Sequence, residues 1–346
     1  MAESRVAGFS SDSTADDIVV LPSQDPRFPL ELERQVFEMA ASSLGNIFNL
    51  ILVASRVKEW SVYAQPPNIQ GGDAASNRIE PLLYRVIVHG CRQAHGLPIT
   101  LLETLIHKIG SKLPVFWSKS VKSLLFLRVR KPEDEPLGDI FAACTGLVRL
   151  RTALPHSRFL PALGNLPALR YLCTEVTALS SGANFVDFTH PVFRNITHLE
   201  LLDIPPLYEA AHQICTGLVH IPELTHIAFH ALVMCRALFP LLHLFTHLRA
   251  FVLLAGTQSR DNLDFTHLAM EDRFVSIRQA DWKKDWLWGA DTGEDFWALA
   301  DEFLAARRAG KVDREFGQLF PLGANTFSGS RFHINDEEDG WRVVNS

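Results

Sequence analysis

Fourteen histidines and five cysteines are the residues of this 346-residue chain best suited to metal binding or nucleophilic chemistry. Four histidines stand in Thr-His-apolar triplets: Thr197-His198-Leu199, Thr225-His226-Ile227, Thr246-His247-Leu248 and Thr266-His267-Leu268. A neutral imidazole is the commonest metal ligand, but structural metal sites recruit further Cys, His or carboxylate ligands at set spacings. No Cys or carboxylate recurs with these triplets. Polar residues beside strands is therefore the favoured reading, with His198 and His226 expected to stack near each other on one ladder. His212, Cys215 and His220 lie close in sequence without the orienting partner that a Cys–His nucleophile requires. Phosphate-cradling glycine loops, G-x-S-x-G and H-E-x-x-H are all missing. The carboxylates Glu133, Asp134 and Glu135 lie between two prolines, and Asp336 to Asp339 form an acidic run, so both sets read as solvated surface. The expectation is a protein that is not an enzyme, with no catalytic residue, no metal and no cofactor.

The elements that position these residues come as a repeat. The template φ-x-x-φ-x-φ, with φ apolar, starts at Val121, Leu147, Leu169, Ile196, Leu224, Leu248 and Phe274, with offsets of 26, 22, 27, 28, 24 and 26. Each copy reads as a short strand followed by a helical return. The clearest returns are DIFAAC (139–144), YEAAHQIC (208–215) and MCRALFPLLHLF (234–245). LLYRVIV, ending at Val88, has the same shape and reads as the first strand. One such unit cannot cover its own apolar face, so units must stack into a solenoid with a parallel sheet on one side. The expected fold class is thus α/β, with the array spanning residues 83–281.

The ends differ from the array. Residues 1–25 are small, polar and acidic and read as a disordered arm. Residues 26–82 carry two helical runs: Leu32, Val36, Met39 and Ala40 share one stripe, and Ile47, Leu50, Ile51, Ala54 and Val57 another. Residues 282–323 form a Trp-rich helical cap, expected to lie over the last unit. In it Thr292 and Asp295 resemble a capping box, and Phe296, Ala300, Phe303 and Leu304 make a stripe. The tail, 324–346, reads as mobile.

Composition narrows the class further. A net charge of −6 argues against a nucleic-acid partner. The cysteines are odd in number and never paired as C-x-x-C, which favours reduced thiols in the cytoplasm or nucleus. No secretory signal and no apolar run of about 18 residues is seen, so no membrane partner is expected.

FPLELERQVFEMAA, LILVASRVKEW and IEPLLY together resemble the F-box, a short helical module of the form L-P-x-E-L, V-x-x-R-x-x-W and P-x-L-Y. Pro29, Glu31 and Leu32 match, Phe28 replaces the leading Leu, and Val53, Arg56, Trp60, Pro81, Leu83 and Tyr84 resemble the remainder. The arrangement is similar to fungal proteins that join a degenerate F-box to irregular leucine-rich repeats. One departure is that the usual Asn or Cys three positions beyond each strand is replaced by Pro155, Thr177, Ile204 and Leu232. The resemblance implies a substrate adaptor of a cullin–RING (SCF-type) ubiquitin ligase. Its F-box face, Pro29, Leu32, Val36, Phe37, Leu52, Val53 and Trp60, would dock on the Skp-family linker protein while the repeats hold a protein client. The alternative is a stand-alone leucine-rich-repeat scaffold whose N-terminal helices only cap the array.

The F-box-like stretch is interrupted by SVYAQPPNIQGGDAASNR, residues 61–78, which has almost nothing to bury. Joining Trp60 to Ile79 restores a helix end running into the first strand. The insert has the length of a short fungal intron and is read as a retained or mis-annotated one, with a lineage-specific loop as the alternative. Either way it is expected to be disordered.

Overall fold

The computed structural model describes residues 81, 84–89, 100–126, 137–152, 159–176, 186–203, 205, 207–256, 266–279, 281–312 and 318–319. The chain is α/β, built on one ten-stranded sheet in which every neighbouring pair is parallel. The strands are β1 (Val86–His89), β2 (Thr100–Leu101), β3 (Ser123–Phe126), β4 (Arg149–Thr152), β5 (Tyr171–Thr174), β6 (His198–Leu201), β7 (His226–Phe229), β8 (Ala250–Gly256), β9 (Phe274–Gln279) and β10 (Gln318–Leu319). From β3 to β10 the spatial order follows the sequence, and β1 pairs with β3 on one side and with β2, the edge strand, on the other. The α-helices among the described residues are α1 (Leu102–Ile109), α2 (Pro114–Ser120), α3 (Leu137–Ala143), α4 (Leu160–Leu163), α5 (Tyr208–Leu218), α6 (Leu232–Leu238), α7 (Thr266–Ala269), α8 (Trp282–Thr292) and α9 (Phe296–Arg308). None is long and apolar enough to cross a membrane.

Strand periodicity sorts the side chains onto two faces. Ile87, Leu124, Leu150, Leu172, Leu199, Ile227, Phe251 and Phe274 pair in one continuous register. All are buried in the main core, together with Trp117, Phe141, Phe193, Cys215 and Leu238 from the connections. Fully burying an aliphatic or aromatic side chain contributes about 1.5–3 kcal/mol, so this single row is a large part of the driving force. The first φ of the template is buried too: Val121, Leu147, Leu169, Ile196, Leu224 and Leu248 all join this core.

The strands also start alike. Successive N–H groups of Lys122 and Ser123 donate to the Arg85 carbonyl, and those of Val148 and Arg149 to Lys122. The same pattern runs from Arg170 and Tyr171 to Val148, from Thr197 and His198 to Arg170, and from Thr225 and His226 to Thr197. One carbonyl satisfying two donors fixes each strand against the one before it, independent of side-chain identity. Beyond the ends of β5 and β6, the Val176 N–H donates to the carboxylate of Asp203 and ties the two connections together.

Two sequence expectations shift. The last template match, at Phe274, is out of step by three residues, because Phe274 pairs with Phe251 and not with Leu248. Packing decides this, since Phe274 supplies the next core ring, 4.9 Å from that of Phe251. The capping box is replaced as well. Asp295 is itself the N-cap of α9, accepting from the N–H groups of Trp297 and Ala298, while Thr292 closes α8 and bonds the Trp288 carbonyl.

Candidate functional site

The opposite face of the sheet is covered by α8 and α9. The two helices form a hairpin turned at Gly293, whose φ of 78° places it in the left-handed region that favours glycine. Gly289 lets the helices close, because a Cβ there would lie 2.4 Å from that of Asp295. The sequence places this segment over the last unit, and Phe303 and Leu304 do pack with Val275 and Ile277 of β9. The hairpin reaches much further. Phe296, Trp297 and Ala300 cluster with Ala228, Ala250 and Val252, and the Trp282 ring lies 4.0 Å from the Arg151 guanidinium of β4. The strand face carries enough apolar and aromatic surface along its length to hold the hairpin flat against it.

The junction contains two ladders of polar residues, both at the x positions of the repeat. At the first position of each strand, Arg149, Tyr171, His198 and His226 lie in register. The Arg149 guanidinium lies 4.0 Å over the Tyr171 ring, Tyr171 stacks on His198 at 4.1 Å, and His198 on His226 at 4.2 Å. Trp297 closes the stack edge-on, 5.2 Å from His198. The histidine ladder expected from the Thr-His triplets is therefore present. Each of these two threonines also bonds its neighbour, with Oγ1 of Thr197 and of Thr225 2.8 Å from the following imidazole Nδ1. Burial, with the nearby His226 and Arg149 adding to it, pushes His198 down to about 2, so its ring is neutral.

At the third position, Arg151, Cys173 and Glu200 are in register. Arg151 reaches over the small Cys173 to hold both oxygens of Glu200 at 2.9 Å, and His230 Nε2 lies 2.8 Å from Oε1. Burial alone would raise the Glu200 carboxyl. The Arg151 charge and the His230 and Cys173 bonds outweigh it and hold it down at about 2. The same burial raises the Cys173 thiol well above its ordinary range. A protonated thiol is a poor nucleophile.

The hairpin supplies the complementary charges. Asp295 meets Arg149 at 2.5 Å, and Asp301 meets His226 Nε2 at 3.0 Å. Asp285 is half-buried and lines a small, partly open cavity with Tyr171, Cys173, His198, Glu200, Asp295 and Trp286. The cavity holds about 20 Å³, room for one water. Burial, then the charge of Asp295, pushes Asp285 up to about 7.

Other candidates from the sequence disperse. Cys215 turns into the main core with its Sγ 3.6 Å from the Met234 carbonyl, while His220 is exposed. Burial raises Cys215 and Cys144 to about 12. His247 and His267 are exposed and lie off the ladder. No group of His, Cys, Asp and Glu suited to a metal ion occurs among the described residues. The F-box-like face, Pro29, Leu32, Val36, Phe37, Leu52, Val53 and Trp60, the insert 61–78, Cys91 and both acidic runs lie outside the described residues. Tyr84, at the end of the F-box-like stretch, is described: it is buried and meets Trp117 and Phe116 edge-on at 5.0 and 5.7 Å.

Arg149, Arg151, Glu200 and Asp285 did not stand out in the sequence, and Asp295 did so only as a helix-capping residue. A signal was present in the opposite charges at equivalent x positions of copies two units apart, Arg151 in LVRLRT and Glu200 in ITHLEL. What it lacked was any indication that the x face would be covered. No protein-family model, no curated protein and no solved structure matches this chain.

Proposed function

We propose that this chain is a protein-interaction protein without catalysis of its own, built as an irregular leucine-rich-repeat array behind an F-box-like segment. In this reading it serves a cullin–RING ubiquitin ligase as substrate adaptor. The segment containing Pro29, Leu32, Val36, Phe37, Leu52, Val53 and Trp60 docks on the Skp-family linker, and the array holds the client. The supporting observation is the sheet. Strands β3 to β9 follow one another in space as in sequence and recur every 22 to 28 residues in one register, and β3 to β8 each start with two successive N–H groups on one carbonyl of the unit before. Such stacking makes long, partner-sized surfaces without needing a pocket.

The stand-alone scaffold is the second reading, and Tyr84 favours it. Burial of this motif-end residue against Trp117 and Phe116 ties the end of the F-box-like stretch to the sheet core. Co-purification with the Skp-family linker separates the two. The adaptor reading expects the full chain to retain the linker and Leu32→Asp with Val36→Asp to lose it. Failure of the unmodified chain to bind supports the scaffold, and binding that survives both substitutions removes the proposed docking face.

A further inference from the structure

Three acidic residues, Glu200, Asp285 and Asp295, line one cavity between the strand face and the C-terminal hairpin. Among the described residues that line the cavity or bond these groups, two guanidinium groups serve them. Arg151 holds both oxygens of Glu200, and Arg149 holds Asp295. Asp285 is left with neutral donors, the Gln279 Nε2 at 3.1 Å and the Phe296 N–H. The charges facing it are Arg149 and Arg151 from β4, Glu200 from β6 and Asp295 from α9; Tyr171, Cys173 and His198 also line the cavity, and His230 stands behind Glu200. The β1 and β3 residues in register with Arg149 and Arg151 are Val86, Val88, Ser123 and Leu125, which add no charge. With Asp285 neutral, two cations face two anions. With Asp285 ionised, a third anion joins this cavity without a guanidinium of its own among the described residues.

We propose that the α8–α9 hairpin is a proton-gated cover over the strand face: a proton on Asp285 keeps it closed, and loss of that proton releases it. The hairpin moves as one unit because Gly289 and Asp295 pack its helices together and Gly293 turns them. Its opening uncovers Glu200 and His226, which are buried while the cover is shut, and frees the half-buried Arg149, Tyr171 and His198 of the same ladders. Local opening of such a unit, with the rest of the fold intact, is a normal mode of protein motion.

The direction follows from linkage. The closed hairpin raises Asp285 from 3.8 to about 7. Below pH 4 the group is protonated in both states and favours neither. Between about pH 4 and 7 the closed state binds the extra proton, so opening rises by about tenfold per pH unit and levels off above 7. The gating does not rest on the adaptor reading, although the identity of whatever uses the exposed face does.

Hydrogen exchange of the full chain, corrected for intrinsic rates, tests it by following peptides from 282–308 against those of β4 to β8. The hairpin is expected to lose protection by about tenfold per pH unit from pH 5 to 7 while the strands keep theirs. Asp285→Asn, which stays neutral, is expected to hold the hairpin closed across the range. Hairpin protection that ignores pH, strands that open in step with the hairpin, or an Asp285→Asn variant with the original slope would each overturn the proposal. Should that variant not fold, the comparison of hairpin with strands in the unmodified chain decides alone.

Discussion

Arg151 and Glu200 are joined across a strand to which neither belongs. Arg151 lies on β4 and Glu200 on β6, two strand spacings or about 10 Å apart, and the guanidinium closes the gap by passing over Cys173 to hold both carboxylate oxygens at 2.9 Å. Both side chains are almost fully buried, at 7% and 4% exposure. Removing one member strands the other charge. Arg151→Met is therefore expected to cost about 3–5 kcal/mol, and the double variant with Glu200→Met to recover most of that loss. Urea unfolding of the two single variants and the double variant checks this; equal losses in single and double would refute it.

The same pair sets an acid limit. Glu200 is held down at about 2 against an ordinary 4.5, so its contribution is fully present above about pH 4.5 and lost as pH falls toward 2. Glu200→Gln is expected to flatten the acid limb of a stability–pH curve over that window. The limb is expected to stay unchanged in Glu175→Gln, whose carboxyl is shifted upward instead.

Asp295 has two roles that substitution can separate. It caps α9 through Oδ1 and meets Arg149 through Oδ2. Asp295→Asn keeps a capping oxygen and loses the ion pair, while Asp295→Ala loses both. The Ala variant is expected to be less stable than the Asn variant by about 1 kcal/mol, the usual worth of an N-cap. Thermal unfolding measures the gap, and indistinguishable midpoints would refute the capping role.

Gly146 is held by close packing. A Cβ there would fall 1.8 Å from the Ser118 carbonyl oxygen, which also accepts from Lys122 Nζ at 3.1 Å. Gly146→Ala is expected to cost about 1–3 kcal/mol through the forced displacement of backbone. Gly138, inside α3, has nothing within 4 Å of an added Cβ, and Gly138→Ala is expected to gain about 0.5–1 kcal/mol. Differential calorimetry of the two variants tests the pair, and the same sign for both would be the failing result.

Much of the sheet is legible in the sequence because the apolar template reports burial directly. Leu150, Leu172, Leu199 and Ile227 are spaced for one register, and that register is found. The adjacency of His198 and His226 follows from the same spacing. Phe274 was misplaced because an apolar residue fits either the first or the second φ of the template, and only the pairing with Phe251 chooses.

The polar junction was not legible, for a different reason. Alternation along a strand states which residues face away from the main core, but not whether water or protein lies on that other side. Arg149, Arg151, Glu200 and His226 look like solvated x positions until α8 and α9 fold back over them. The sequence by itself determined strands β1 and β3 to β8, their succession and the apolar row they bury, since those depend on local periodicity and on burial of apolar surface; the short edge strands β2 and β10 and the register of β9 came only with the structure. Only the tertiary structure decided that the second face is covered and that Asp285 lies beside the carboxylates of Glu200 and Asp295. That outcome depends on contacts between residues about 75 to 150 positions apart, such as His226 with Asp301 and Arg149 with Asp295, which no local pattern encodes.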